Sequence, residues 1–89
     1  MSKNIIYTSD SSKDLIEILL YISKDSLSNA ENFIFEITDK IRNLNNFSKL
    51  GKNINKNYYI YLINENYLVH YKIVENNIYI LSVKHVKKL

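Results

Sequence analysis

Apolar positions follow one rhythm in the first half of the chain and another in the second. Leu15, Ile18, Leu19 and Ile22 recur at i, i+3, i+4 and i+7, which predicts a helix over 12–23 with an apolar face. Thr8 to Ser12 offers several N-caps ahead of it. Ile16 and Leu20 widen the stripe, so this helix is expected to touch a second element on its flank. After a turn over 25–27, Ser28 and Glu31 spell an S-x-x-E capping box and predict the start of a second helix. Ala30, Phe33, Ile34, Ile37, Ile41 and Leu44 carry its stripe to about residue 45, and the short turn makes the pair an antiparallel hairpin. Ahead of both, residues 4–8 form a short apolar strand.

Residues 46–57 are rich in Asn and Lys and predict a loop, anchored by Phe47 and Leu50 and carrying the only glycine, Gly51. Beyond it the pattern alternates, predicting strands over 58–63, 67–74 and 78–86 that form an antiparallel meander. A two-residue turn at Asn76 and Asn77 pairs Glu75 with Ile78 and sets Leu68 opposite His85. One face then carries Val69, Tyr71, Ile73, Ile78 and Ile80. The other carries Leu68, His70, Lys72, Tyr79, Leu81, Val83 and His85, a mixed surface that the helices need not cover. The expected fold is α+β: an N-terminal strand, a helical hairpin and a three-stranded meander, with about four strands in the sheet.

Length fits a single domain over residues 1–89 with one core, because a chain this short buries roughly 60% of its unfolded surface. With no cysteine and two histidines, the composition excludes a disulfide framework and a thiolate metal site, and neither a metal nor a cofactor is expected. No apolar run resembles a signal peptide or a membrane span, so the expected setting is the cytoplasm, with no membrane partner. Charge is uneven: residues 1–46 hold five basic and seven acidic groups, net −2, and residues 47–89 hold seven and two, net +5. That asymmetry points to an anionic partner at the C-terminal end, either nucleic acid or an acidic protein segment.

Several pieces of sequence, in order, resemble the RelE/ParE superfamily of bacterial type II toxins. They are Asp14-Leu15-Ile16-Glu17-Ile18 with Tyr21-Ile22, Ser28-Asn29-Ala30 with Phe33-Ile34, and Leu44 and Phe47 ahead of Leu50-Gly51-Lys52. Leu68-Val69-His70-Tyr71-Lys72-Ile73 and Ile78-Tyr79-Ile80-Leu81-Ser82-Val83-Lys84-His85 complete the match over nearly the whole chain.

The resemblance implies a toxin neutralised by a cognate antitoxin in a hetero-oligomer, with two mechanisms open. ParE-like members inhibit DNA gyrase by binding; RelE-like members cleave messenger RNA on the ribosome. Cleavage needs a base for the 2′-OH, an acid for the leaving oxygen and cations on the phosphate. RelE-like nucleases commonly carry arginine where this chain has Leu68, and a tyrosine or other functional group where it has Val86. Both departures weaken the nuclease reading, and the long helical hairpin with the missing arginine at Leu68 favours the ParE-like branch, so the expectation leans towards a binding inhibitor over an enzyme. A degenerate member that only binds antitoxin is a third possibility. His85 is the candidate acid or base if the chain is a nuclease. Lys49, Lys52, Lys56, Lys72, Lys84, Lys87 and Lys88 are the candidate residues for binding target or phosphate. Arg42, the only arginine, reads as a solvated helix residue. The tyrosines, at strand spacing, read as packing groups before base-stacking ones.

Overall fold

The computed structural model describes residues 2–88, and the side chain of the candidate Lys88 lies outside that description. β1 (Asn4–Tyr7) leads into a hairpin of α1 (Ser9–Ser23) and α2 (Leu27–Arg42), which a 3-10 turn (Asn43–Asn45) closes. β2 (Lys52–Asn55), β3 (Tyr58–Ile63), β4 (Tyr67–Val74) and β5 (Asn77–His85) follow, and a second 3-10 turn spans Val86–Lys88. The strands form one five-stranded sheet in the order β1-β5-β4-β3-β2, with β1 parallel to β5 and the other neighbours antiparallel. The hairpin covers one face, where Leu15, Ile37, Ile41 and Leu44 meet Tyr59, Ile63, Val69, Tyr71, Ile78, Ile80 and Val83 in one buried cluster.

The α+β arrangement is as the sequence implies, with a fifth strand added. β2 lies within the segment expected to be loop; all four of its residues are exposed, so it shows no apolar alternation to find. Phe47 and Leu50 do not anchor that segment, since both are exposed. The anchor is polar: the buried Tyr71 hydroxyl donates to Ser48 O at 2.8 Å and accepts from Gly51 N–H at 3.0 Å. A Cβ on Gly51 would strike Ile60 O and stand 2.9 Å from the Tyr71 hydroxyl, so glycine is required here for close approach.

The capping box is also corrected. Ser26, not Ser28, caps α2, because Ser26 has the extended backbone that an N-cap needs and its side chain accepts from Asn29 N–H at 3.1 Å. Starting two residues earlier lets Ala30, which is fully buried, already donate to Ser26 O. Ile16 and Leu20, expected to widen the buried stripe of α1, stand exposed.

The last hairpin departs from the expected register at both ends. Its two-residue turn is Glu75-Asn76, with Val74 opposite Asn77 and Glu75 at φ 55°. Asparagine is the better residue for positive φ, which is why the sequence points one position too late. A bulge then intervenes: Tyr71 faces Ile80 but His70 faces Ser82, leaving Leu81 as the extra residue. The shift restarts the alternation, so Val83 is fully buried against the helices and does not share a face with Lys72 and Tyr79. His85 pairs with Tyr67, not with Leu68.

Candidate functional site

The end of β5 is held by α1. β1 stops pairing at Tyr7 opposite Ile80, and the edge of β5 beyond it is taken over by the first turns of the helix. Thr8 caps α1, accepting from Ser11 N–H at 3.2 Å, and its hydroxyl donates to Ile80 O at 2.7 Å beside the bulge. Two turns on, the largely buried Asp14 carboxylate accepts from Val83 N–H at 3.0 Å and from the Lys84 ammonium at 2.8 Å. One side chain thus satisfies an otherwise orphaned strand donor and fixes the adjacent lysine. The hydrogen bond to Asp14 and its charge push the Lys84 pKa up.

The bulge sends His85 to the helix side of the sheet. Its ring stands edge-on to Tyr67, centroids 5.1 Å apart, and Tyr67 in turn packs on Phe33 at 4.9 Å. Lys87 N–H donates to His85 Nδ1 at 3.1 Å, which makes Nε2 the protonated nitrogen of the neutral ring. Beside the imidazole lies a cavity of about 410 Å³ lined by Glu17, Ile18, Tyr21, Ile22, Tyr67, His85 and Lys87. Burial raises the Tyr67 pKa, so at neutral pH its phenol is un-ionised.

The opposite, open face consists of cross-strand rows. Tyr58, Lys72 and Tyr79 form one row, with the Lys72 ammonium 5.6 Å from the centre of the Tyr79 ring. Lys52, Ile60, His70 and Ser82 form the next, in which His70 Nδ1 lies 2.9 Å from Ser82 Oγ. Leu62, Leu68 and Lys84 form the third.

The candidate residues therefore separate. Lys52, Lys72 and Lys84 share the open face, although Lys84 reaches round the edge to Asp14. Lys87 stands on the other side, at the His85 cavity. Lys49 is exposed in the connection before β2, and Lys56 is exposed in the β2–β3 turn at φ 44°. Arg42 is exposed and pairs with Asp39 at 2.9 Å. His85 is brought together with Lys87, Glu17, Tyr21 and Tyr67, not with the open-face lysines. Glu17 and Tyr21 carry no site signal in the pattern of residues, and Tyr67 reads there as a packing group before a base-stacking one. The available signal was Ile80-Leu81, consecutive apolar residues followed by Val83, which marks a change of phase along β5. Among the described residues no group of three or more His, Cys, Asp or Glu is placed to hold a metal, and no helix is long and apolar enough to cross a membrane.

No curated protein matches the sequence. A chain of the chromosomal ParDE toxin–antitoxin system from P. aeruginosa has the same fold, with TM-score 0.80 over 94% of this chain and 96% of that one, at 13% identity. The model of the family described as ParE toxin of type II toxin–antitoxin system, parDE, matches residues 5–89. With nearly its whole length matched by that model, the chain belongs to the ParE toxin family of type II toxin–antitoxin systems.

Proposed function

We propose that the chain arrests growth by binding a cellular target in the cytoplasm, that this target is DNA gyrase, and that a cognate antitoxin neutralises it by forming a hetero-oligomer with it. Membership of the ParE family carries the toxin part of this reading. What favours binding over RNA cleavage is one observation: His85 shares the face of Tyr67, while Leu68 and the lysines of β2 and β4 lie on the other. A nuclease of the RelE type needs its acid, its base and its phosphate-holding cations around one scissile bond. In this chain the histidine is separated by the sheet from Lys52 and Lys72, and of the described candidate lysines Lys87 alone lines its cavity, beside the opposing charge of Glu17. The open face, with Leu62, Leu68, Ile60 and two tyrosines between lysines, instead has the mixed apolar and basic make-up of a protein-binding surface.

The test is induction of the chain without its antitoxin, followed by transcript mapping and DNA topology in the same cells. Relaxed or broken DNA with intact transcripts is the expected result. Transcripts cut on translating ribosomes, with cutting abolished in His85→Ala, would replace the gyrase reading by the nuclease one. Unaffected growth with the protein folded would leave antitoxin binding as its only activity.

A further inference from the structure

Charge on the open face is one-sided. Its three cross-strand rows hold Lys52, Lys72, Lys84 and His70 and no carboxylate. Lys84 is neutralised by Asp14 at the β5 edge, whereas among the described residues neither Lys52 nor Lys72 lies within ion-pair distance of an acid. Beside Lys52 the face is concave. A recess of about 430 Å³ has Leu50, Ile60, Leu62 and Leu68 on its lining together with that lysine. Leu50 and Leu62 are 49% and 52% exposed, so the chain leaves half of this apolar surface in water.

The wall of this recess is fixed from the far side of the sheet. Residues 50–52 form it, and the Tyr71 hydroxyl, rooted in the covered core, ties them down through Gly51 N–H and Ser48 O. Gly51 has no side chain, so the wall closes onto Ile60 O. A preformed apolar recess with uncompensated cations around it is matched to an apolar side chain carried between carboxylates. We propose that the chain engages its target here, taking one large apolar side chain from an acidic segment of that protein while Lys52 and Lys72 face the flanking carboxylates. A nucleic-acid strand shares the charge but not the anchor, since its phosphates would satisfy the lysines and leave Leu50, Leu62 and Leu68 uncovered. This inference rests on the protein-target reading above and adds which surface meets the target and by what chemistry.

Three variants test it, each first shown to be folded by its urea midpoint. Leu62→Asp puts a carboxylate into the recess and Lys52→Glu reverses the charge beside it. Ile16→Asp is the matched control, 54% exposed but on the helical hairpin. Two readouts are taken: growth arrest on induction without antitoxin, and inhibition of purified DNA gyrase. Leu62→Asp should abolish arrest and weaken inhibition by about tenfold or more, Lys52→Glu should weaken it severalfold, and Ile16→Asp should behave as the unmodified chain. Inhibition should also fall as salt rises, less steeply for Lys52→Glu. Arrest retained by folded Leu62→Asp and Lys52→Glu, or lost equally in Ile16→Asp, would overturn the surface. A short single-stranded RNA that binds saturably, and no longer does so in Lys52→Glu, would replace the acidic protein segment by nucleic acid. The two claims separate cleanly. Arrest that depends on Leu62 while purified gyrase stays active removes gyrase and keeps the surface; gyrase inhibited equally by all three variants removes the surface and keeps gyrase.

Discussion

The two faces of the sheet come from the same strands and meet opposite demands. On the covered face the apolar residues of β3, β4 and β5 are sealed by α1 and α2, and no buried side-chain polar atom among the described residues lacks a hydrogen-bond partner. On the open face the alternate residues of the same strands interleave lysine, histidine and tyrosine with leucine and isoleucine, and the helical hairpin lies on the other side. The first pattern specifies the fold. The second is held by a few polar ties, such as Lys84 to Asp14 and His70 beside Ser82, rather than by a packed layer. The bulge at Leu81 decides which face receives the last residues of β5, so it separates His85 from the open-face lysines.

The contrast between faces is broken most severely from the covered side. Ile37→Ala, at a site 1% exposed, should cost about 2–5 kcal/mol by denaturant unfolding, whereas Leu62→Ala, half-exposed on the other face, should stay within about 1 kcal/mol. Equal losses would mean that the open face is packed by something in solution. Next in size is the polar anchor under β2. Tyr71→Phe leaves Ser48 O and Gly51 N–H without their partner and should cost about 1–3 kcal/mol, while adding no cavity. A neutral result would show that the connection is not held there.

The edge of β5 gives a sharper test. Asp14→Ala removes the acceptor of Val83 N–H and the partner of Lys84, with a loss of about 1–3 kcal/mol, whereas Asp14→Asn keeps one acceptor oxygen and should lose less. The two variants falling together would put the effect on charge alone. Smaller still is Glu75→Gly, which relieves a left-handed backbone at the turn and should stabilise by up to about 1 kcal/mol.

Stability should also respond to alkali. Burial holds Tyr7, Tyr67 and Tyr71 above the ordinary phenol range, and the hydrogen bond to Asp14 holds Lys84 above the ordinary amine range. All four groups bind protons more tightly folded than unfolded. Their contribution is therefore complete below about pH 10 and is lost as pH rises through the folded-state values. Tyr71→Phe should flatten part of that decline, which pH-dependent urea unfolding can read.

Much of this architecture was legible because the helices and the three long strands have their apolar residues at clean spacings. The limits of β3 and β4 and the C-terminal end of α1 follow from spacing, whereas α1 begins at Ser9, three residues before the expected start, because Thr8 is its cap. What escaped has physical causes. β2 is an edge strand with every residue exposed, so its pairing comes from backbone hydrogen bonds and leaves no mark in the side-chain pattern. Ser26 and Ser28 are equivalent as caps until the burial of Ala30 chooses between them. The bulge moved Val83 and His85 across the sheet, and a two-fold alternation extrapolated from Ile78 and Ile80 puts both on the wrong side. The candidate lysines were legible as a charged set but not as a place, since strand order and register decide that Lys52, Lys72 and Lys84 share a face and that Lys87 does not.

The most direct test of the central claim, that this chain acts by binding rather than by cutting, uses purified components. The protein is added to DNA gyrase with supercoiled and relaxed plasmid and ATP, and in parallel to translating ribosomes with a defined messenger RNA. The expected result is inhibited supercoiling or stabilised DNA cleavage, undiminished in His85→Ala, with the messenger intact. Gyrase unaffected and the messenger cut in a His85-dependent manner would contradict it.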